Sequence, residues 1–187
     1  MFTIISCFEI ALRNAIDYHY TAVHGNEWLL NSISDGSIFD NNSCRTTKNI
    51  IIKTYNKLNR TNNYSHFKLI AEMDFGFWRY LFSQPQFYAG GQSLLRIFPA
   101  KPISTVTIQY NQSYVFNELG KINDLRNRIA HHEPICFSLG TTNKDTTYVK
   151  QNYRLIKDLF NWMQIDEASL LYGLNHVNQI VQKIDNL

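Results

Sequence analysis

Apolar residues recur at helical spacing along most of this sequence, and this periodicity constrains the fold more than any other feature. The first such stripe starts near the N-terminus and predicts an amphipathic helix of about 20 residues. Its members are Ile5, Phe8, Leu12, Ala15, Ile16 and His19. No segment alternates with period two for long enough to predict a strand, and residues 103–108 come nearest. The pattern therefore predicts an all-α bundle.

Capping residues and helix breakers divide the next part of the chain. Thr46 or Thr47 is suited to begin a second helix, and Ser65 to begin a third, which apolar residues extend to Phe82. Residues 83–102 contain three of the four prolines and a glycine pair. We therefore expect an irregular connection there.

A long helix is predicted from about Thr107 to His132, because Pro134 disfavours helical geometry for the residue before it. Three more helices are predicted after a loop, and they cover residues 148–162, 168–172 and 176–184. The sequence contains no internal repeat or linker, so we predict a single domain over residues 1–187.

The composition excludes several classes of protein. The chain is 44% hydrophobic and 14% aromatic, which is typical of a globular protein with a sizeable core. Its formal charge of +3 is too small to indicate a polyanion partner by itself, so a nucleic-acid site would have to be a local cluster. The apolar N-terminal residues lack a preceding basic stretch and are interrupted by Glu9, Arg13 and Asn14, which disfavours a secretory signal or a membrane span. We expect a soluble cytoplasmic protein.

No metal site is predicted from the cysteines and histidines. The three cysteines are widely spaced and lack the CxxC or Cys/His clustering of a zinc site; they are Cys7, Cys44 and Cys136. Four histidines lack a partner at ligand spacing and are interpreted as core or surface residues; they are His19, His24, His66 and His176.

Residues 126–133 form a dense polar cluster at the end of the long predicted helix, with the sequence Arg-Asn-Arg-Ile-Ala-His-His-Glu. Histidine can give and accept a proton near neutral pH, and a helix C-terminus favours its protonated form, so His131 is a candidate general acid. The planar fork of Arg126 can hold a phosphate and stabilise a negative transition state, and Asn127 could orient either group. No carboxylate cluster lies nearby in the sequence to hold magnesium, so a metal-independent route is favoured for chemistry on a phosphate.

Helical geometry places these polar residues on different sides of the helix. At about 100° per residue, Asn127 and His131 share one face, whereas Arg126 and His131 are about 140° apart. Arg126 must therefore reach around the helix or line a groove whose other wall comes from elsewhere. On spacing alone, a structural interpretation is also open: Arg126 and Glu133 could form a surface ion pair, and two histidines before a proline can simply close a helix.

The wider string Leu-Arg-Asn-Arg-Ile-Ala-His-His-Glu-Pro-Ile, at residues 125–135, resembles the signature of the Abi-like branch of the HEPN superfamily, which is linked to bacterial abortive phage infection. Three other stretches agree with that family, in the expected order. Residues 8–14 (Phe-Glu-Ile-Ala-Leu-Arg-Asn) resemble its opening helix, residues 75–78 (Phe-Gly-Phe-Trp) its middle helix, and residues 97–99 (Ile-Phe-Pro) the turn before the signature helix. A lone Arg-x4-His would be a weak match, whereas four ordered stretches are specific.

The resemblance implies an all-α, HEPN-like helical bundle with short additional helices, often a homodimer whose two motifs face each other across a two-fold axis. Catalytic members of the superfamily are metal-independent endoribonucleases, in which the RNA 2′-hydroxyl attacks the adjacent phosphate. By that resemblance Arg126 stabilises the phosphate, His131 is the acid or base, Asn127 assists, and His132 and Glu133 are supporting residues. No cofactor is implied. The expected role is phage defence or a toxin-like effector, with RNA as partner and an antitoxin or defence-complex protein as a further candidate partner.

A non-catalytic HEPN module that binds RNA or a protein in a defence complex is the alternative prediction, because membership of a fold does not establish activity. The modest charge of +3 favours this alternative.

Two further sets of charged residues are predicted to have mainly structural roles. Glu9 and Arg13, four residues apart, could form an intrahelical pair or anchor the signature helix, and they are predicted as supporting residues of the site. A basic strip could run along the second predicted helix, although a solvated helix face explains it as well. Its members are Lys48, Lys53, Lys57 and Arg60.

Overall fold

The computed structural model describes residues 1–138 and 140–186, and ten α-helices account for most of them. They are α1 (Phe2–His24), α2 (Trp28–Asn31), α3 (Arg45–Arg60), α4 (His66–Ala71), α5 (Phe75–Tyr80), α6 (Gln84–Ala89), α7 (Gln112–Ala130), α8 (Thr147–Trp162), α9 (Glu167–Leu170) and α10 (Val177–Asp185). Two 3-10 turns, at Asn42–Cys44 and Leu94–Ile97, interrupt the connections. Within the described residues there is no strand, and one isolated bridge joins Phe137 to Lys144. The predicted all-α fold is confirmed.

Helix α1 forms the centre of the bundle. It packs on α2, α5, α7, α8 and the second 3-10 turn, and its apolar stripe is buried among them. Six of its side chains are buried; they are Ile4, Ile5, Phe8, Leu12, Ile16 and Tyr20. The predicted first helix is therefore confirmed, and it supplies a large share of the core.

The prediction of one continuous helix from Ser65 to Phe82 is wrong. Ser65 does cap a helix, with its Oγ accepting from the Lys68 N–H at 3.3 Å, but that helix is only the short α4. Asp74 then begins α5, because its Oδ1 accepts a hydrogen bond from the Phe77 N–H at 2.8 Å. A second N-cap inside the apolar run thus divides it into two helices.

Two predicted helix starts are also displaced by asparagine caps. Helix α3 begins at Arg45, just before the predicted Thr46 or Thr47, since Asn41 Oδ1 accepts from the Cys44 N–H at 3.0 Å and starts a 3-10 turn that runs into the helix. Helix α7 begins at Gln112, after the predicted start at Thr107, since Asn111 Oδ1 accepts from the Tyr114 N–H at 3.0 Å.

Helix α7 carries the predicted signature and packs on four other helices. These are α1, α5, α6 and α8, and α7 buries Val115, Leu119, Ile122 and Leu125. Its last helical residue is Ala130, two residues before the predicted end. The three helices predicted after it are confirmed as α8, α9 and α10.

None of the helices in residues 1–138 and 140–186 is both long enough and apolar enough to cross a membrane.

Candidate functional site at the end of helix α7

Helix α7 ends in a Schellman motif, which sets the backbone path of the candidate residues. The His132 N–H donates to the Ile129 carbonyl at 3.1 Å, and the Glu133 N–H donates to the Arg128 carbonyl at 2.8 Å. His132 has a φ of 57°, in the left-handed region where such a motif usually has glycine. His131 is the C-cap just before this reversal, so its side chain lies at the exposed end of the helix.

The Arg128 side chain fastens the segment that follows α7. Its Nε donates to Glu133 Oε2 at 3.1 Å, and its Nη2 donates to the Pro134 carbonyl at 2.8 Å. The guanidinium also lies over the ring of Tyr148 in α8, 4.8 Å from its centroid. The suggested ion pair between Arg126 and Glu133 is therefore wrong, because Glu133 pairs with Arg128.

Arg126, two residues earlier, is half-buried and makes few polar contacts. Among residues 1–138 and 140–186, its one side-chain hydrogen bond is a long one, 3.5 Å from Nη1 to Asn127 Oδ1. No carboxylate in that part of the chain forms a direct ion pair with it. Most of its five N–H donors are therefore available to a phosphate.

Glu9 of α1 lies close enough to Arg126 for the two charges to interact. Burial raises the pKa of the Glu9 carboxyl, and the Arg126 guanidinium lowers it. Two smaller influences follow: the Asp74 carboxylate raises this pKa and the Arg13 guanidinium lowers it. Burial is the largest of these influences, so the pKa lies above its usual value. Four charges, on Glu9, Arg13, Asp74 and Arg126, thus lie near one another where α1, α5 and α7 pack together.

The intrahelical pair predicted between Glu9 and Arg13 does not form as a direct ion pair among the described residues. Arg13 Nε instead lies 3.4 Å from Asn14 Oδ1, its neighbour in sequence. Arg13 therefore acts on Glu9 only through its charge.

The side chain of Asn127 contacts the arginine rather than the histidine. Its side-chain oxygen accepts from Arg126, and its backbone carbonyl accepts from the His131 N–H at 2.9 Å. The side chains of His131, His132 and Glu133 are all exposed. Within one chain, the structure thus brings Arg126 together with Asn127 and Glu9, and no side-chain hydrogen bond among the described residues joins any of them to His131.

Two of the histidines interpreted as core or surface residues have structural partners. His66 is buried, and its Nε2 lies 2.9 Å from Asp17 Oδ1, which also accepts from Trp28 Nε1 at 2.8 Å. His19 Nε2 lies 2.8 Å from Ser93 Oγ. In the segments that the structure describes, no group of three or more His, Cys, Asp or Glu side chains is arranged to hold a metal ion.

Two residues of this region, Asp74 and Arg128, were not predicted from the sequence. Asp74 comes three residues before Phe77, and an aspartate at that spacing before a helical run is a typical N-cap, so its position carried a usable signal. No sequence signal marked Arg128, because its contact with Tyr148 depends on how α7 and α8 pack.

The chain is thus an all-α protein whose candidate site lies at the C-terminal end of α7, next to the charges of α1 and α5. Residues 1–136 match the model of the family described as Abi-like protein. This match covers well over half of the chain, and it includes every predicted site residue from Glu9 to Glu133. The chain belongs to the Abi-like protein family, and this membership suggests a function related to abortive infection, a form of defence. No curated protein and no solved structure matches the chain.

Proposed function

We propose that this protein is a metal-independent endoribonuclease of the HEPN type that acts in phage defence or as a toxin-like effector. The observation that carries the proposal is the contrast between two arginines of α7. Arg128 donates hydrogen bonds to Glu133 and Pro134 and stacks on Tyr148. Arg126, in contrast, is half-buried, and most of its donors are unused among the described residues. An arginine with unused donors, in the same helix end as an exposed histidine, is suited to a phosphate ligand.

In the proposed reaction the RNA 2′-hydroxyl oxygen attacks the adjacent phosphorus. The bond from the 2′-oxygen to phosphorus forms, and the bond from phosphorus to the 5′-oxygen breaks, which leaves a 2′,3′-cyclic phosphate and a 5′-hydroxyl. One proton leaves the 2′-hydroxyl and one must reach the departing 5′-oxygen. His131 carries out one of these transfers and a solvent water molecule the other, and Arg126 stabilises the negative charge on the non-bridging oxygens.

The other predicted residues support these two in the proposal. Asn127 holds the Arg126 guanidinium through its side-chain oxygen, and Glu9 limits where that guanidinium can lie through its charge. His132 and Glu133 form the turn that presents His131.

The proposed active unit is a homodimer that binds RNA in a cleft between the two copies. Arg126 and His131 lie on different sides of one helix, so a single chain supplies the two groups to different surfaces. A two-fold axis that passes beside the end of α7 would place a second copy of this helix opposite the first. Arg126 of one copy would then act with the partner subunit's His131.

Cleavage of mixed RNAs by the purified chain in EDTA tests the activity. We expect products that end in 2′,3′-cyclic phosphate, and a loss of rate of about 100-fold or more for Arg126→Ala and His131→Ala. Arg154→Ala and His176→Ala are matched controls, because both residues are exposed and lie on α8 and at the start of α10. A parent chain that leaves every RNA uncut, a strict metal requirement, or a fully active Arg126→Ala, His131→Ala double variant would each contradict the proposal.

A mixing experiment tests the shared site. If Arg126 and His131 of different copies act together, an equal mixture of the Arg126→Ala and His131→Ala chains, unfolded and refolded together, regains about a quarter of the parent rate, since half of the dimers are mixed and each has one intact site. If the two residues of a single copy act together, the mixture stays inactive.

The second candidate function is a non-catalytic HEPN module that binds RNA or a protein, such as an antitoxin, in a defence complex. The small formal charge of +3 favours it, because polyanion binding usually comes with a larger excess of cations. Purification with a stoichiometric protein partner and no nuclease activity would establish it in place of the first.

A further inference from the structure

Helix α3 has an unusual charge distribution. Five of its sixteen residues are Lys or Arg, and the helix contains no Asp or Glu. They are Arg45, Lys48, Lys53, Lys57 and Arg60. In a chain with 18 cationic and 15 acidic residues, this is a local excess of positive charge.

Residues 49–60 of α3 form one wall of a groove of about 780 Å³, whose other wall comes from the residues between α4 and α5. Lys53, Lys57 and Arg60 line it, together with Asn56 between the two lysines and Asn49 one turn before Lys53. Cations interleaved with amide donors are the groups that proteins use to bind phosphate and sugar oxygens.

Two of these cations are available for a ligand. Lys57 pairs with Glu72 on the opposite wall at 2.6 Å. Lys53 and Arg60 are exposed and form no ion pair within residues 1–138 and 140–186. They lie seven residues apart, about 10 Å along the helix axis, so they can contact different phosphates of one strand.

One residue that lines the groove, Asp74, also lies near the candidate site. Asp74 lines the α5 end of the groove, and the Asp74 carboxylate lies close enough to Glu9 to influence its ionisation, as Arg126 does. Asp74 Oδ1 is held by the Phe77 N–H at 2.8 Å, so this carboxylate already has a structural partner at the N-terminus of α5.

We propose that the α3 groove binds the sugar-phosphate backbone of the single-stranded RNA whose cleavage we assign to the α7 site, with Lys53 and Arg60 as its phosphate contacts. This inference rests on the proposed ribonuclease function. An acidic protein surface would fit the positive charge alone, but the asparagine amides beside the cations, and the place of Asp74 in the groove and near Glu9, favour RNA.

The test measures binding of a labelled, mixed-sequence, single-stranded RNA to the full-length His131→Ala chain, so that cleavage does not interfere. The double substitution Lys53→Gln, Arg60→Gln removes two phosphate contacts. The negative slope of log affinity against log salt should become less steep by about 1.4, and binding at 0.1 M salt should weaken about 25-fold. Arg154→Gln, Lys183→Gln removes the same charge from α8 and α10 and leaves affinity within about threefold, since neither residue faces a phosphate in the proposal. Thermal melts check that each variant is folded.

The outcomes separate the groove from the function. Equal RNA binding by both double variants overturns the proposal that the α3 groove binds RNA, and it leaves the ribonuclease proposal standing. An acidic protein surface would then be the remaining ligand for the groove. An equal loss in the control double variant also overturns it, because the effect would then follow net charge alone. Absence of RNA binding in the His131→Ala chain, with no cleavage by the parent, overturns both proposals. Single-stranded DNA of the same sequence serves as a second ligand, and we expect it to show the same two-contact difference in slope, because the contacts are to phosphates.

Discussion

Arg128 and Glu133 form an ion pair across the C-terminal turn of α7, with 3.1 Å between Nε and Oε2. The same guanidinium donates to the Pro134 carbonyl and lies over the Tyr148 ring. One side chain therefore connects the end of the signature helix, the segment after it and α8. Arg126, in the same helix turn, has no comparable set of contacts among the described residues.

The first prediction is that Arg128 contributes to stability and Arg126 does not. Arg128→Gln removes the hydrogen bond to Pro134 and the stacking on Tyr148, so it lowers the free energy of unfolding by about 1–2 kcal/mol. Glu133→Gln removes only an exposed ion pair and costs less than about 1 kcal/mol. Urea unfolding of both variants, with Arg126→Gln alongside, measures the difference. A larger loss for Arg126→Gln than for Arg128→Gln would contradict this assignment.

The second prediction concerns the left-handed residue of the Schellman motif. His132 has φ 57°, where a side chain is strained and glycine is not, so His132→Gly raises the unfolding free energy by a few tenths of a kcal/mol up to about 1 kcal/mol. His132→Val, with a β-branched side chain, lowers it by about 1–2 kcal/mol. Thermal unfolding followed by circular dichroism measures both. Equal stability of the two variants would mean that the turn relaxes to another backbone conformation.

The third prediction is a coupling between Tyr20 of α1 and Gly90 after α6. Tyr20 is fully buried, and its hydroxyl has no hydrogen-bond partner within the described residues. A Cβ at Gly90 would overlap with this hydroxyl oxygen and lie 3.1 Å from Tyr20 Cζ. Gly90→Ala should therefore cost about 1–3 kcal/mol, because the helix and the ring must shift apart.

Removing the hydroxyl relieves part of that overlap. Tyr20→Phe alone changes stability by less than about 1 kcal/mol, because no hydrogen bond is lost. In a double-mutant cycle, Gly90→Ala then costs at least about 0.5 kcal/mol less in the Tyr20→Phe background than in the parent. Additive effects of the two substitutions would show that Gly90 and Tyr20 do not crowd each other in solution.

The helices were predictable because their apolar stripes are what the bundle buries. In α1, Phe8, Leu12 and Ile16 are spaced for one helix face, and all three are fully buried. Helix boundaries were harder to predict, because several polar residues compete for each capping position. Asp74 and Asn111 became N-caps, and no periodicity in the apolar residues marks either of them.

The candidate site was predictable in its residues but not in their contacts. The polar string at 126–133 pointed to Arg126 and His131 through its residue types and its family resemblance. The sequence does not show that Arg128, rather than Arg126, makes the structural contacts, because Arg128 stacks on Tyr148 of another helix. The nearness of Glu9 to Arg126 likewise depends on the packing of α1 on α7, so only the structure provides it.

The last prediction uses the ionisation of Glu9. Burial raises the pKa of this carboxyl above its usual 4.5, despite the nearby Arg126 and Arg13 charges. The folded chain therefore holds the Glu9 proton more tightly than the unfolded chain. As the pH rises from the usual pKa of the carboxyl through its higher pKa in the folded chain, ionisation of Glu9 lowers the free energy of unfolding. Glu9→Gln abolishes that cost, so it stabilises the protein at pH 7, and the gain shrinks to nothing below about pH 4, where the carboxyl is protonated in both states. Asp35→Asn, at an exposed loop residue, is the control for the loss of one negative charge. Urea unfolding across this pH range measures the effect, and a Glu9→Gln chain that is less stable than the parent at pH 7 would show that attraction to Arg126 outweighs the burial of the carboxylate.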